Sequence, residues 1–172
     1  MIKKHAKDLI VLLIIAIVIT VAILCMDIKT ADEYYAPGEN QTDNKQYAYI
    51  TISCKTLKQA IDNNTVKVND KIKPYIPSDG YILQKKKVLI NNGDTALDVL
   101  LKIAKEEGIS IYRDNNSSYI KGINHISEFD AGKNSGWMIA VNGTLIQCSA
   151  GQYEVKEDDE MLWGYMVDYT GR

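Results

Sequence analysis

One phenylalanine, three prolines, three cysteines and two histidines are spread over 172 residues, and these shortages exclude several kinds of chemistry. No Cys-x-x-Cys pair occurs, no nucleophile–base pair stands out, and no glycine-rich phosphate loop follows a strand-like run. His125 is the only histidine beyond the first few residues, and its Ile-flanked setting reads as a packed or surface side chain rather than a ligand. A surplus of positive charge is missing too. Twenty basic residues stand against 22 acidic ones, a net charge of −2, so no basic face exists to neutralise phosphates and nucleic acid is excluded as a partner. The acidic run Glu157-Asp158-Asp159-Glu160 lacks the alternating spacing of a calcium loop and reads as a solvated turn before a last strand. We therefore expect no metal site, no catalytic residues, no required cofactor and no enzymatic activity.

What is present begins with a long apolar run. Lys3, Lys4 and Lys7 precede residues 9–26, which are apolar apart from a threonine and a cysteine. Eighteen such residues span roughly 27 Å as a helix, enough for a hydrocarbon core. The basic flank orients the N-terminus inward and puts everything after it outside the cytoplasm. We expect residues 1–26 to be an uncleaved single-pass membrane anchor. A signal peptide and a lipidated Cys25 are the alternatives, the second weakened by Leu24, where a small residue is wanted. Residues 27–46 are polar, contain Pro37-Gly38 and show no period, as a flexible linker does.

Residues 47–172 read as one α+β domain. Alternation predicts strands over 47–54, 85–90, 119–126, 136–141, 145–148 and 161–167, with a short helix near Leu57 and Ile61. The stretch from Thr95 is the one strong helix signal: Thr95-Ala-Leu-Asp98 is a capping box, Leu97, Leu100, Leu101 and Ala104 make an apolar stripe, and Gly108 stops it. One main helix on a mostly antiparallel sheet is the expected β-rich fold class, β-grasp-like. Asn142-Gly143 predicts a two-residue hairpin turn with positive φ at both positions. Eleven tyrosines suit half-exposed sheets and wet binding surfaces, although an AT-rich genome would also raise their number.

Four segments taken in order, "GDTALDVLLKIAKEEGI", "YIKGINHI", "SGWMIAVNG" and "AGQYEVKEDDEMLWGY", resemble the transcobalamin-like C-terminal domain family, also called DUF4430. In transcobalamin and intrinsic factor the corresponding domain closes over cobalamin against a large helical domain, which this chain does not contain. Similar bacterial domains occur on anchored or secreted surface proteins. Many relatives carry a pair of cysteines where this chain has Ala131 and Ala150, so that pair is missing together. Cys54 and Cys148 remain within the domain, either paired outside the cytoplasm or as two buried free thiols.

The resemblance implies a corrinoid such as cobalamin as the ligand of a surface-tethered binding module. The polar approach 130–135 beside Trp137 is where a ligand is expected, with Ser135, Gly136, Trp137 and the tyrosines Tyr119 and Tyr165 as contacts. Trp163, in the last strand, is expected in the core. The alternative is an envelope module that binds another protein and no small molecule. A tyrosine-lined concavity beside Trp137 would favour the first, and a closed core with a flat exposed sheet the second.

Overall fold

The structure is a computed structural model that describes residues 45–114 and 117–170. The chain divides into two units, Met1–Asp43 and Asn44–Arg172. The anchor expected over residues 1–26 lies outside the described residues, as does nearly all of the linker. Among the described residues no helix is long and apolar enough to cross a membrane.

Strand β1 (Gln46–Ser53) alternates as its sequence does, with Ala48, Ile50 and Ile52 buried. Helix α1 (Lys55–Asp62) follows at once, burying Leu57 and Ala60 and pairing Lys58 with Asp62 one turn on. A 3₁₀ turn, Lys73–Tyr75, forms around Pro74 in the irregular stretch that leads to β2 (Tyr81–Ile90). Helix α2 (Ala96–Glu107) begins with the capping box. The Thr95 hydroxyl accepts from the Asp98 N–H at 3.2 Å, and the Asp98 carboxylate accepts from the Thr95 N–H at 3.0 Å. The Thr95 hydroxyl, which donates to the Asp98 carboxylate at 2.6 Å, and then the Thr95 N–H hold that carboxyl below its usual range. Gly108 ends the helix at φ 68°, ψ 25°, with its N–H on the Ala104 carbonyl. Leu97, Val99, Leu100 and Ile103 are buried, and each such side chain is worth about 1.5–3 kcal/mol of removal from water.

The remaining strands are β3 (Ile111–Arg113), β4 (Ile120–Ile123), β5 (Ile126–Ser127), β6 (Gly136–Val141), β7 (Thr144–Leu145) and β8 (Glu160–Met166). They make a five-stranded sheet in the order β2-β1-β8-β6-β7 and a small three-stranded sheet β3-β4-β5. In the large sheet β1 and β8 run parallel side by side while every other pair is antiparallel. Over the described residues the fold is thus β-rich with two α-helices, the main one expected from Thr95 and the short one expected near Leu57 and Ile61. The single strand expected over 119–126 is two strands. Asn124 and His125 both take positive φ, 52° and 64°, and turn the chain back on itself. The His125 ring packs on Tyr75, centroids 4.1 Å apart.

One face of the large sheet is sealed. Ile50, Ile52, Val88, Ile139, Met161 and Trp163 join the α2 stripe and Ile120, Ile123 and Ile126 of the small sheet in one core. The opposite face is open. There Lys87 and Lys85 lie over the rings of Tyr47 and Tyr49, 4.1 and 4.7 Å from the centroids, and Lys85 pairs with Glu160 at 2.6 Å.

Candidate functional site

Strand β6 organises everything the sequence singled out. At its far end Asn142 and Gly143 take φ 50° and 79° between Val141 and Thr144, the two-residue turn that Asn-Gly favours. Asn142 also ties this turn to β8. Its side-chain amide donates to the Asp159 carboxylate at 2.8 Å, and its side-chain oxygen accepts from the Glu160 N–H at 2.9 Å. Buried Asp159 accepts as well from the Lys156 N–H and the Tyr153 hydroxyl, so the acidic run is a turn folded around one internal carboxylate.

At its near end β6 is braced. Ser135 is fully buried, and its hydroxyl accepts from the Ala131 N–H at 3.1 Å and lies 2.9 Å from the Tyr165 hydroxyl. Tyr165 donates in turn to the Ser127 carbonyl at 3.0 Å, and burial pushes its phenol above the ordinary range. The Trp137 indole N–H donates to the Ile126 carbonyl at 2.8 Å, and its ring meets Tyr165 edge to face at 5.3 Å. Ser135, Trp137 and Tyr165 therefore fasten the small sheet and the 128–135 loop to the large sheet. With Tyr165 1% exposed and Trp137 8% exposed, neither ring is displayed as a platform. Gly136 is buried beside them. The sequence pattern could not distinguish these two places, because an alternating strand offers a tryptophan equally to a core or a surface.

Between the two ends lies a half-open cleft of about 190 Å³. Trp137, Ile139 and Trp163 line it along the sheet, Tyr119 on the approach to β4, and Cys148 and Ala150 on the segment after β7. Of the five residues expected to contact a ligand, Tyr119 and Trp137 meet here, while Ser135, Gly136 and Tyr165 do not line it. Tyr119 is 57% exposed and donates to Glu128; that hydrogen bond, with some burial, pushes its phenol up to about 12. Trp163 is core, as its strand position predicted, yet its indole N–H is a buried donor with no partner among the described residues. Cys148 is exposed and Cys54 buried, and both thiols are free, which corrects the expectation that two free thiols would both be buried. Sequence reasoning gave neither Cys148 nor Trp163 a place at a site. Both follow the Asn-Gly turn in sequence, and only the pairing of β8 with β6 brings Trp163 back to the cleft that Cys148 lines.

A second concavity, about 330 Å³, lies on the open face of the sheet. Met138, Ala140, Leu162, Gly164 and Met166 make its floor, and Tyr81 and Leu145 also line it. Leu145 and Leu162 are both exposed. Among the described residues no group of three or more His, Cys, Asp or Glu side chains is arranged to hold a metal ion.

No curated protein matches this chain. Among matching solved structures, haptocorrin in complex with Cbi is 17% identical with a TM-score of 0.43; the match covers 71% of this chain and 25% of that one. This chain therefore spans about a quarter of the haptocorrin chain. A protein from Ruminococcus gnavus ATCC 29149, provisionally described as metal binding, is 14% identical with a TM-score of 0.41, the match covering 73% of this chain and all of that one. Residues 93–166, from the approach to α2 through β8, match the family model described as domain of unknown function (DUF4430).

Proposed function

We propose that this protein is an extracytoplasmic binding module, tethered to the cell membrane by residues 1–26, whose ligand is a corrinoid. The cleft beside β6 is the observation that carries this reading: a half-open concavity lined by Trp137 and Trp163 and edged by the exposed Tyr119. The basic-then-apolar N-terminal sequence supports the tether, and the DUF4430 match supports a domain of the transcobalamin-like kind with a β-grasp-like strand order. Binding rather than catalysis is the role, since the cleft holds no acid–base pair.

At about 190 Å³ the cleft is smaller than sites that enclose a drug-sized ligand, roughly 300–1,000 Å³. It takes one edge of a corrinoid and leaves the rest exposed or covered by a partner. Equilibrium dialysis of the full chain against dicyanocobinamide tests this. Saturable uptake with a Kd on the order of micromolar is expected for such one-sided contact. No uptake at near-millimolar corrinoid overturns the reading.

The open sheet face favours one other reading, an envelope protein partner in place of a small molecule. Exposed Leu145 and Leu162 beside an apolar concavity support it. On that reading dialysis shows no uptake, and Leu162→Lys abolishes capture of a defined envelope protein without unfolding the domain.

A further inference from the structure

The concavity on the open face of the large sheet owes its depth to a missing side chain. Gly164 lies inside β8, a strand flanked by β1 and β6, where a glycine weakens the strand it sits in. Along β8 alternate residues face opposite sides, so Gly164 shares the open side with Leu162 and Met166, while Trp163 and Tyr165 are buried. A Cβ added at Gly164 would meet only the Leu162 Cγ, at 4.0 Å. There is room for a side chain and the sequence leaves it out. Glycine within a strand marks a place where another group comes close. Met138 of β6 and Met166 flank the hollow, and methionine adapts its shape to what it covers.

The rim carries one charge. Ser53, Lys55 and Thr56, where β1 passes into α1, line the concavity together with Tyr81. The Ser53 hydroxyl donates to the Gly80 carbonyl at 3.2 Å and the Thr56 hydroxyl to the Tyr165 carbonyl, so both are already engaged. Lys55 is the only charged residue among the described residues that line the hollow. Its ammonium lies 5.6 Å from the centre of the Tyr81 ring and makes no ion pair among the described residues, whereas Lys58, Lys85 and Lys86 each pair with a carboxylate.

We propose that this concavity binds a free amphiphilic monoanion, a carboxylate on an unbranched apolar chain. The chain lies over Gly164 between Met138 and Met166, and the carboxylate meets the Lys55 ammonium at the rim. Charge and size choose the occupant. One unpaired lysine balances one negative charge, and an apolar floor suits a hydrocarbon chain. At about 330 Å³ the hollow falls within the range of small-molecule sites, roughly 300–1,000 Å³. This site is on the opposite side of the sheet from the cleft beside Trp137, and its assignment depends neither on that cleft nor on a corrinoid.

The test follows the methionine methyl signals of the full chain, ¹³C-labelled at methionine and held in nanodiscs of zwitterionic phospholipid, with free octanoate fixed by dialysis. Met138 and Met166 should shift along one saturable curve with a Kd on the order of a millimolar. Met161, buried on the sealed face, should not move. Hexanoate, shorter by two methylenes, should bind about tenfold more weakly. Lys55→Gln should weaken octanoate about fivefold, the upper end for an exposed ion pair, and leave uncharged octanol unaffected. Gly164→Val fills the hollow and should abolish the octanoate shift at Met138, with urea unfolding showing an intact domain because a β-branched residue suits a strand. Should that variant fail to fold, Lys55→Gln still decides. Absence of a saturable shift at Met138 and Met166 overturns the proposal and leaves this face to a protein partner. An equal loss of octanol and octanoate in Lys55→Gln, or no loss of octanoate, also overturns it. A response of the two signals to nanodiscs of anionic lipid but not to octanoate overturns it in favour of a membrane surface.

Discussion

The braced end of β6 and the cleft beside its middle carry the same kinds of groups and treat them in opposite ways. At the braced end the Trp137 indole, the Ser135 hydroxyl and the Tyr165 phenol all have partners within 3.1 Å in the 126–135 stretch. Beside the middle of the strand the Trp163 indole has none among the described residues. An unmade buried hydrogen bond costs about 1–3 kcal/mol, so a fold that satisfies one tryptophan and leaves its neighbour unsatisfied places its polar cost at the cleft. Closed polar networks hold architecture together. Open ones are where a ligand can gain.

Replacing each tryptophan is the strongest way to break that comparison. Trp137→Ala removes a buried ring and its bond to Ile126, and should lower stability by about 3–5 kcal/mol in urea unfolding. Phenylalanine at each position sharpens the contrast. Trp137→Phe leaves the Ile126 carbonyl unpaired and should cost about 1–3 kcal/mol more than Trp163→Phe, which removes a donor that had no partner. Equal costs would mean that the Trp163 N–H is satisfied in solution.

The turn at the far end is a smaller lever. A Cβ on Gly143 would meet nothing within 4 Å, so any cost of a side chain there comes from φ 79° alone. Gly143→Val should destabilise by about 1–3 kcal/mol and Gly143→Asn by much less. Matching losses from the two substitutions would deny that the positive φ is required.

The two thiols extend the contrast to pH. Burial pushes Cys54 up from 9.0 to about 11, whereas Cys148 is exposed. Because the folded pKa is raised, the unfolded chain loses its proton first. The contribution of Cys54 is complete below pH 9.0 and is lost as pH rises toward about 11. Urea midpoints measured across that window should fall less steeply in Cys54→Ala than in the parent chain. Tyr165, also raised by burial, adds a similar fall at the upper end in both proteins. Superimposable slopes would show that the Cys54 thiol does not titrate differently on folding.

Local signals in the sequence carried much of this architecture. Thr95, Asp98 and Gly108 marked both ends of α2, and Asn142-Gly143 marked the turn after β6. Both are short-range effects of capping and positive φ, which adjacent residues determine. The break in the 119–126 strand escaped because Asn124 and His125, though residue types enriched at positive φ, sit inside a run that otherwise reads as one strand. The parallel pairing of β1 with β8 joins residues more than a hundred positions apart, beyond the reach of any local pattern. The candidate site was half legible for the same reason. Trp137 and Tyr119 were among the five expected contacts, but the places of Trp163 and Cys148 depend on how the strands assemble.

The most direct test of the cleft as the binding site uses the exposed thiol inside it. Cys148 should react with N-ethylmaleimide in the native protein while buried Cys54 does not, and with Cys25→Ser in the background the adduct fills the cleft alone. Dialysis against dicyanocobinamide then compares the alkylated chain with the unmodified one. The account predicts micromolar-range uptake by the unmodified chain and a loss of about tenfold or more on alkylation, at least one hydrogen-bond equivalent. Undiminished uptake by the alkylated chain would contradict it and move the ligand to another surface.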